Sequence, residues 1–191
     1  PGGGTMIGNE FVARAAPDGY TVLVALNSFV VNPARKKVNY DPLNGLMPVT
    51  QAVALALVLV ARSDLKVKSI PELIQMDRDG AKLSAGTSGT GSPNHLALEL
   101  FNQMAGTKIT HIPYKGEAPA VTDLVGGQID LVITTLTTAA SQIEAGRIKL
   151  LAAVGSKPPP SMPNLPTIAQ QGLPGYQAEA WQGVFVPAGT P

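Results

Sequence analysis

The feature that most constrains this chain is its rhythm: short apolar runs alternate with amphipathic stretches, and glycine or proline marks most of the boundaries. Short apolar runs make strands, whereas apolar residues at every third or fourth position make one face of a helix. A chain that alternates the two builds βα units, so the expected class is α/β with a parallel sheet and right-handed crossovers.

Residues 5–16 carry Ile7, Phe11, Val12 and Ala15 on one expected helical face, and Pro17-Asp18-Gly19 turns the chain into a strand expected over 20–25. Residues 52–61 read as one buried strand, too short to span a bilayer. Ser69-Ile70-Pro71-Glu72 predicts a capped helix start, running to about Met76. Further buried strands are expected over 82–86, 108–112, 129–134 and 148–154. Between them lie helices over 93–105, with Leu96, Ala97, Leu100, Phe101 and Met104 as core stripe, over 118–125 and over 137–145. After Gly155 the prolines 158, 159, 160, 163, 166 and 174 suggest a connector leaving the sheet, followed by an extended pattern through Trp181, Val184, Phe185 and Val186. The expected division is residues 1–60 in a first α/β domain, 61–155 as a second, and 156–191 as a connector and strand returning to the first.

Composition narrows the partner. Fourteen Lys and Arg against thirteen Asp and Glu leave a formal charge of +1, and aromatic residues make up 5% of the chain, so neither a phosphate-binding field nor a base-stacking platform is expected. Nucleic acid is excluded as a partner and a small molecule is favoured. Cysteine is absent and histidine occurs twice, which leaves no spacing for a metal site, and no cofactor is expected. The sequence opens in a glycine cluster without a signal-peptide pattern and reads as a piece of something longer.

In open α/β sheets ligands sit outside the carboxyl ends of the strands. The loop Thr87-Ser88-Gly89-Thr90-Gly91-Ser92 follows an expected strand and enters a helix with Ser92 as cap and Pro93 in its first turn. Glycines let backbone N–H groups approach a ligand, hydroxyls add donors, and a helix N-terminus carries about half a positive charge, so Ser88, Gly89, Thr90, Gly91 and Ser92 are candidates for an anion cradle. The same residues also suit a tight turn that merely caps the helix. The loop lacks the spacing of a P-loop or a dinucleotide fingerprint, and Thr90 stands where a nucleophile elbow needs glycine. With only His95 and His111 available, a Ser-His-acid triad is not expected. His95 either donates to an anion or closes the turn; His111 suits a core or rim position, and Lys115 either faces the cleft or is solvated. Asn27 and Ser28, and Thr134 and Thr135, end two other strands as neutral donors or as turn chemistry. Arg14 and Arg35-Lys36-Lys37 read as solvated faces. The rival to a binding module is a small α/β enzyme that holds a phosphorylated or nucleotide substrate on this loop.

Six ordered motifs resemble one family: Pro1-Gly2-Gly3-Gly4-Thr5-Met6-Ile7-Gly8, Ala15-Ala16-Pro17-Asp18-Gly19-Tyr20-Thr21, Tyr40-Asp41-Pro42, His111-Ile112-Pro113-Tyr114-Lys115-Gly116, Gly126-Gly127-Gln128-Ile129-Asp130 and Gly172-Leu173-Pro174-Gly175-Tyr176. They are similar to the Bug family, the substrate-binding receptors of tripartite tricarboxylate transporters, across essentially the whole chain. The resemblance implies a non-enzymatic, periplasmic-binding-protein-like pair of α/β domains with a ligand cleft between them. It implies a small organic anion, a mono- or dicarboxylate, as ligand, the membrane components of a tripartite transporter as partners, and a periplasmic location. By the same likeness residues 86–92 form the carboxylate loop, Asn27 and Ser28 line the first-domain side, and Thr135 closes the far end. Family members extend beyond both ends of this chain, so a fragment is expected. Many also carry an acidic residue near the position of Thr134 that reads a ligand amino group; its absence here favours a plain acid.

Overall fold

The structure is a computed structural model, and it describes residues 6–35 and 37–191, so the opening glycine cluster and Lys36 lie outside the described residues. The chain divides into two compact units, Pro1–Leu55 with Ala180–Pro191, and Ala56–Glu179.

The larger unit contains β3 (Leu57–Arg62), α3 (Ile70–Arg78), β4 (Ser84–Thr87), α4 (Pro93–Ala105), β5 (Thr110–Pro113), α5 (Glu117–Val125), β6 (Leu131–Thr135), α6 (Leu136–Glu144) and β7 (Ile148–Ala153). Its sheet has the order β5-β4-β6-β3-β7. β4 runs parallel to β5 and β6, but β3 is antiparallel to both β6 and β7, so the sheet is mixed and not the parallel one expected. The reason is that the crossover β6-α6-β7 leaves one position open between its strands, and β3 fills it from the opposite direction. A continuous apolar run such as Leu57–Ala61 reports burial on both faces and says nothing of strand direction. Val58, Val60, Leu124, Val132 and Ala139 are fully buried, and each large aliphatic chain so placed contributes roughly 1.5–3 kcal/mol.

Local chemistry sets the helix ends. Ser69 caps α3 by accepting from Glu72 N, while Glu72 Oε2 accepts from Lys68 N at 2.9 Å. α4 starts at Pro93 under the cap of Ser92 and stops at Gly106, whose φ of 65° is left-handed. Its buried face is Asn94, Ala97, Leu98, Phe101 and Ala105; Leu96 and Met104, expected in the core, are exposed. The helix is turned by Asn94, which is drawn inward to donate to Ile133 O at 2.8 Å.

The proline-rich segment does not leave the larger unit. Thr167 bridges Ala153 in parallel, Ile168 N donates to Ala153 O at 2.9 Å, and Gln171 reaches both Leu151 O and Ile70 N. Tyr176, fully buried, donates its hydroxyl to Ala97 O at 2.9 Å, and burial pushes that phenol well above its ordinary range. The boundaries therefore fall at 55/56 and 179/180, not at 60/61 and 155/156 as expected from sequence.

The smaller unit contains α1 (Met6–Ala13), β1 (Leu23–Leu26), α2 (Ser28–Arg35), β2 (Leu46–Leu55) and β8 (Ala180–Pro187). β8 is the central strand, antiparallel to β1 on one side and β2 on the other. Pro48, which has no N–H to give, sits in the edge strand β2. The single strand expected over 52–61 is thus two strands in two sheets, and only its second half is buried. The strand expected over 20–25 begins at Leu23, and Tyr20 is exposed. Val12, Leu23, Ala25, Phe29, Tyr40, Leu46 and Phe185 form this unit's core. Asn9 Nδ2 donates to the Tyr40 hydroxyl, which donates to Phe29 O at 3.1 Å. α1 therefore buries the face of Asn9 and Val12, and Ile7 and Phe11, expected inside, are exposed.

Candidate anion-binding site

The loop between β4 and α4 is built by two glycines in left-handed backbone, Gly89 at φ 125° and Gly91 at φ 82°. Ser92 N donates to Gly89 O at 3.1 Å and closes the turn into α4. Gly86, at the base, serves packing: a Cβ there would stand 2.7 Å from Ile129 Cδ1 and 3.1 Å from Ala120 Cβ.

The amides of this loop are unequally committed. Gly91 N donates to His95 Nδ1 at 3.0 Å, and Gly89 N leans on Thr87 Oγ1 at 3.4 Å. Among the described residues, the amides of Ser88 and Thr90 make no hydrogen bond, so they are the donors the loop can offer an anion. His95 N in turn donates to the Ser92 hydroxyl at 3.2 Å.

An acceptor Nδ1 leaves the hydrogen of a neutral His95 on Nε2, which points toward Glu99 Oε1 at 3.5 Å. The His95 ring stacks on His111 with centroids 3.9 Å apart. His111 Nε2 lies 2.7 Å from Thr87 Oγ1, and burial, helped by the neighbouring His95, holds its pKa below the usual histidine range against the pull of Glu99. The stacked pair thus meets the loop at two points, His95 at the Gly91 amide and His111 at the Thr87 hydroxyl.

A carboxylate that the sequence reading missed organises the rest. Glu117, first residue of α5, accepts at Oε2 from Thr134 Oγ1 (2.9 Å), Thr135 N (3.0 Å), Thr135 Oγ1 (2.6 Å) and Thr138 Oγ1 (2.9 Å). Its Oε1 accepts from Asn94 Nδ2 at 3.0 Å, and Asn94 Oδ1 accepts from Ser88 Oγ at 3.0 Å. Burial by itself would push the Glu117 carboxyl up, but the donors from Thr135, Asn94 and Thr138 outweigh it and hold the group below the usual carboxylate range. The only sequence signal was a glutamate in a first helical turn, which reads as a complement to the helix dipole.

Ser88, Gly89, Thr90, Gly91, Ser92, His95 and Thr135 thus lie in the larger unit, the loop joined to Thr135 through Asn94 and Glu117. Asn27 and Ser28 belong to the smaller unit, where Asn27 O receives Val30 N at 3.1 Å and the buried Ser28 opens α2. Lys115 is exposed, and Tyr114 donates to Asp123 Oδ2 at 2.7 Å, with burial and that contact pushing its pKa up to about 12. Arg62 is engaged by Asp130 and Asp64. Among the described residues there is no cluster of acidic, histidine or cysteine side chains able to hold a metal, and no helix is long and apolar enough to cross a membrane.

Two α/β units with a glycine-rich strand-to-helix loop define a protein of the periplasmic-binding-protein class, the fold class expected from sequence. Solved structures agree. The adipate complex of Rpa4515 from R. palustris shares 36% identity and a TM-score of 0.88, over 97% of this chain and 63% of that one. MatC from Rhodopseudomonas palustris, with bound malate, shares 30% identity and a TM-score of 0.83, over 100% of this chain and 65% of that one. Protein BugT of Bordetella pertussis is 35% identical over 99% of this chain and 59% of its own length. The profile of the Tripartite tricarboxylate transporter family receptor matches residues 1–191, and the chain belongs to that family. It spans less than two thirds of the length of the relatives named here.

Proposed function

We propose that this chain is the ligand-gripping part of a periplasmic solute-binding receptor that captures a small carboxylate for a tripartite tricarboxylate-type transporter and performs no chemistry. The observation that carries the reading is the loop 88–92: uncommitted amides at Ser88 and Thr90 stand at the N-terminus of α4, in a family whose solved relatives hold adipate and malate. Anion binding by fixed dipoles needs no arginine, which fits Arg62 being engaged elsewhere. On this reading Ser88, Gly89, Thr90, Gly91, Ser92, His95 and Thr135 face or shape the ligand site. Asn27 and Ser28 rest on the family resemblance and on their place at the end of β1. Catalysis on the same loop would need an acid or base free to act, but His95 Nδ1 is taken by Gly91 and Glu117 by its five donor contacts.

A thermal-shift screen of mono- and dicarboxylates, followed by calorimetric titration, tests this. A bound acid at a hundredfold its Kd stabilises the native state by about 2.7 kcal/mol. No shift with any carboxylate, or turnover of a phosphorylated substrate, refutes the reading.

A further inference from the structure

Ser88 and Thr135, two of the four hydroxyl residues expected to meet a ligand in the larger unit, have no hydrogen left to give it. Asn94 Nδ2 faces two acceptors, Glu117 Oε1 at 3.0 Å and Ile133 O at 2.8 Å, which fixes the amide and turns its Oδ1 toward Ser88. A carbonyl oxygen only accepts, so Ser88 donates its single hydroxyl hydrogen to Asn94. Glu117 Oε2, ionised, also only accepts, and takes the hydroxyl hydrogens of Thr134, Thr135 and Thr138. The Thr135–Thr138 contact at 2.8 Å does not alter the count: if one of the pair donates to the other, that other still donates to Glu117. Thr137 adds its own hydrogen to Thr135 at 3.2 Å. Ser88 and Thr135 are left with lone pairs only.

We propose that Glu117 is a specificity-determining positioning residue: by holding the hydroxyl hydrogen of Thr135 directly and that of Ser88 through Asn94, it makes both side chains acceptors, so the preferred ligand carries a hydrogen-bond donor, hydroxyl or ammonium, close to its carboxylate. This rests on the reading that the loop 88–92 holds a carboxylate. The amides of Ser88 and Thr90 supply donors for the acid itself. A second carboxylate of a plain diacid would oppose its lone pairs to those of Ser88 and Thr135, whereas a hydroxyl or ammonium group satisfies them. A ligand with such a donor runs against the plain acid favoured by the lack of an acidic residue near Thr134, because Glu117 brings a carboxylate to Thr134 and Thr135 from another helix.

The test is calorimetric titration of the complete gene product with succinate, malate and aspartate, in the native protein and in Glu117→Gln and Ser88→Ala. Malate or aspartate should bind about tenfold more tightly than succinate to the native protein. In Glu117→Gln an amide N–H replaces one acceptor: turned toward the threonines it lets Thr135 keep its hydrogen, and turned toward Asn94 it opposes Nδ2, which only Ile133 O then holds, and loosens Ser88, so the ratio should fall toward one in a variant with native circular dichroism. Ser88→Ala lies in a loop, removes one acceptor without touching Glu117, and should also shrink the ratio. Succinate binding as tightly as malate and aspartate overturns this inference and leaves the receptor reading standing. An unchanged ratio in either folded variant overturns it too. Failure of all three acids to bind overturns this inference, and the receptor reading falls with it when the wider carboxylate screen also shows no shift.

Discussion

Replacing Glu117 by alanine measures what the buried carboxylate contributes to the fold. The change removes the acceptor of bonds from Asn94, Thr134, Thr138 and both donors of Thr135. Asn94 keeps Ile133 O, and Thr135 and Thr138 can turn to each other across 2.8 Å, so part of the loss is absorbed. Thr134, fully buried, and the Thr135 amide have no such recourse. A buried donor left unsatisfied costs about 1–3 kcal/mol, and relief of the desolvated charge offsets some of it, which gives a net loss of about 2–4 kcal/mol. For a chain of this size that corresponds to a fall in Tm of roughly 4–16 °C. Urea and thermal unfolding followed by circular dichroism reads it. Because the folded carboxyl lies below its ordinary range, its contribution is present above the unfolded value of about 4.3 and is lost as pH falls through the folded value. The stability gap between the native chain and Glu117→Ala should therefore narrow as pH is lowered below about 4. A gap under about 0.5 kcal/mol, or one that does not change with pH, would show that water serves these donors as well as Glu117 does.

Three further outcomes are expected. Gly91→Val should abolish carboxylate binding while the fold survives, at a cost of about 1–2 kcal/mol for a side chain at φ 82°; undiminished affinity in titration removes the loop from the site. Gly86→Ala should lower stability by about 1–3 kcal/mol in urea unfolding, because its methyl meets Ile129 Cδ1 at 2.7 Å; an unchanged midpoint refutes the packing role. His111 is held below its ordinary pKa, so stability should fall as pH drops below about 6.5 toward its folded value, and His111→Gln should flatten that slope between pH 7 and 5.

Local signals carried the sequence reading a long way where local physics decides. Ser92, Pro93 and Gly106 bound α4 at Pro93–Ala105, the range expected, because caps and breakers act on neighbouring residues. The strands β4, β5, β6 and β7 were found to within about two residues for the same reason. What failed depends on distant partners. The direction of β3 is set by the gap between β6 and β7, and its break from β2 at Ala56 by the exchange of one sheet for another, neither of which alters a continuous apolar run. The prolines after Gly155 suggested departure, yet Thr167, Gln171 and Tyr176 tie that segment back through residues far along the chain. Glu117 was invisible as an organiser because Asn94, Thr134, Thr135 and Thr138 surround it only once the chain is folded.

The order in which the chain leaves the ribosome meets an obstacle in the smaller sheet. Among the described residues β1 and β2 pair with no strand except β8, and β8 lies at 180–187, beyond the whole of the larger unit. The segment Ala56–Glu179 is continuous and can complete its sheet as it emerges, whereas β1 and β2 lack the strand that joins them until residues 180–187 arrive between them. Closing that sheet joins residues more than a hundred positions apart, for instance Leu46 with Pro187, a slow step by the entropy of the loop it seals. During that interval a carrier that masks strand edges would protect the nascent protein from pairing with its own copies.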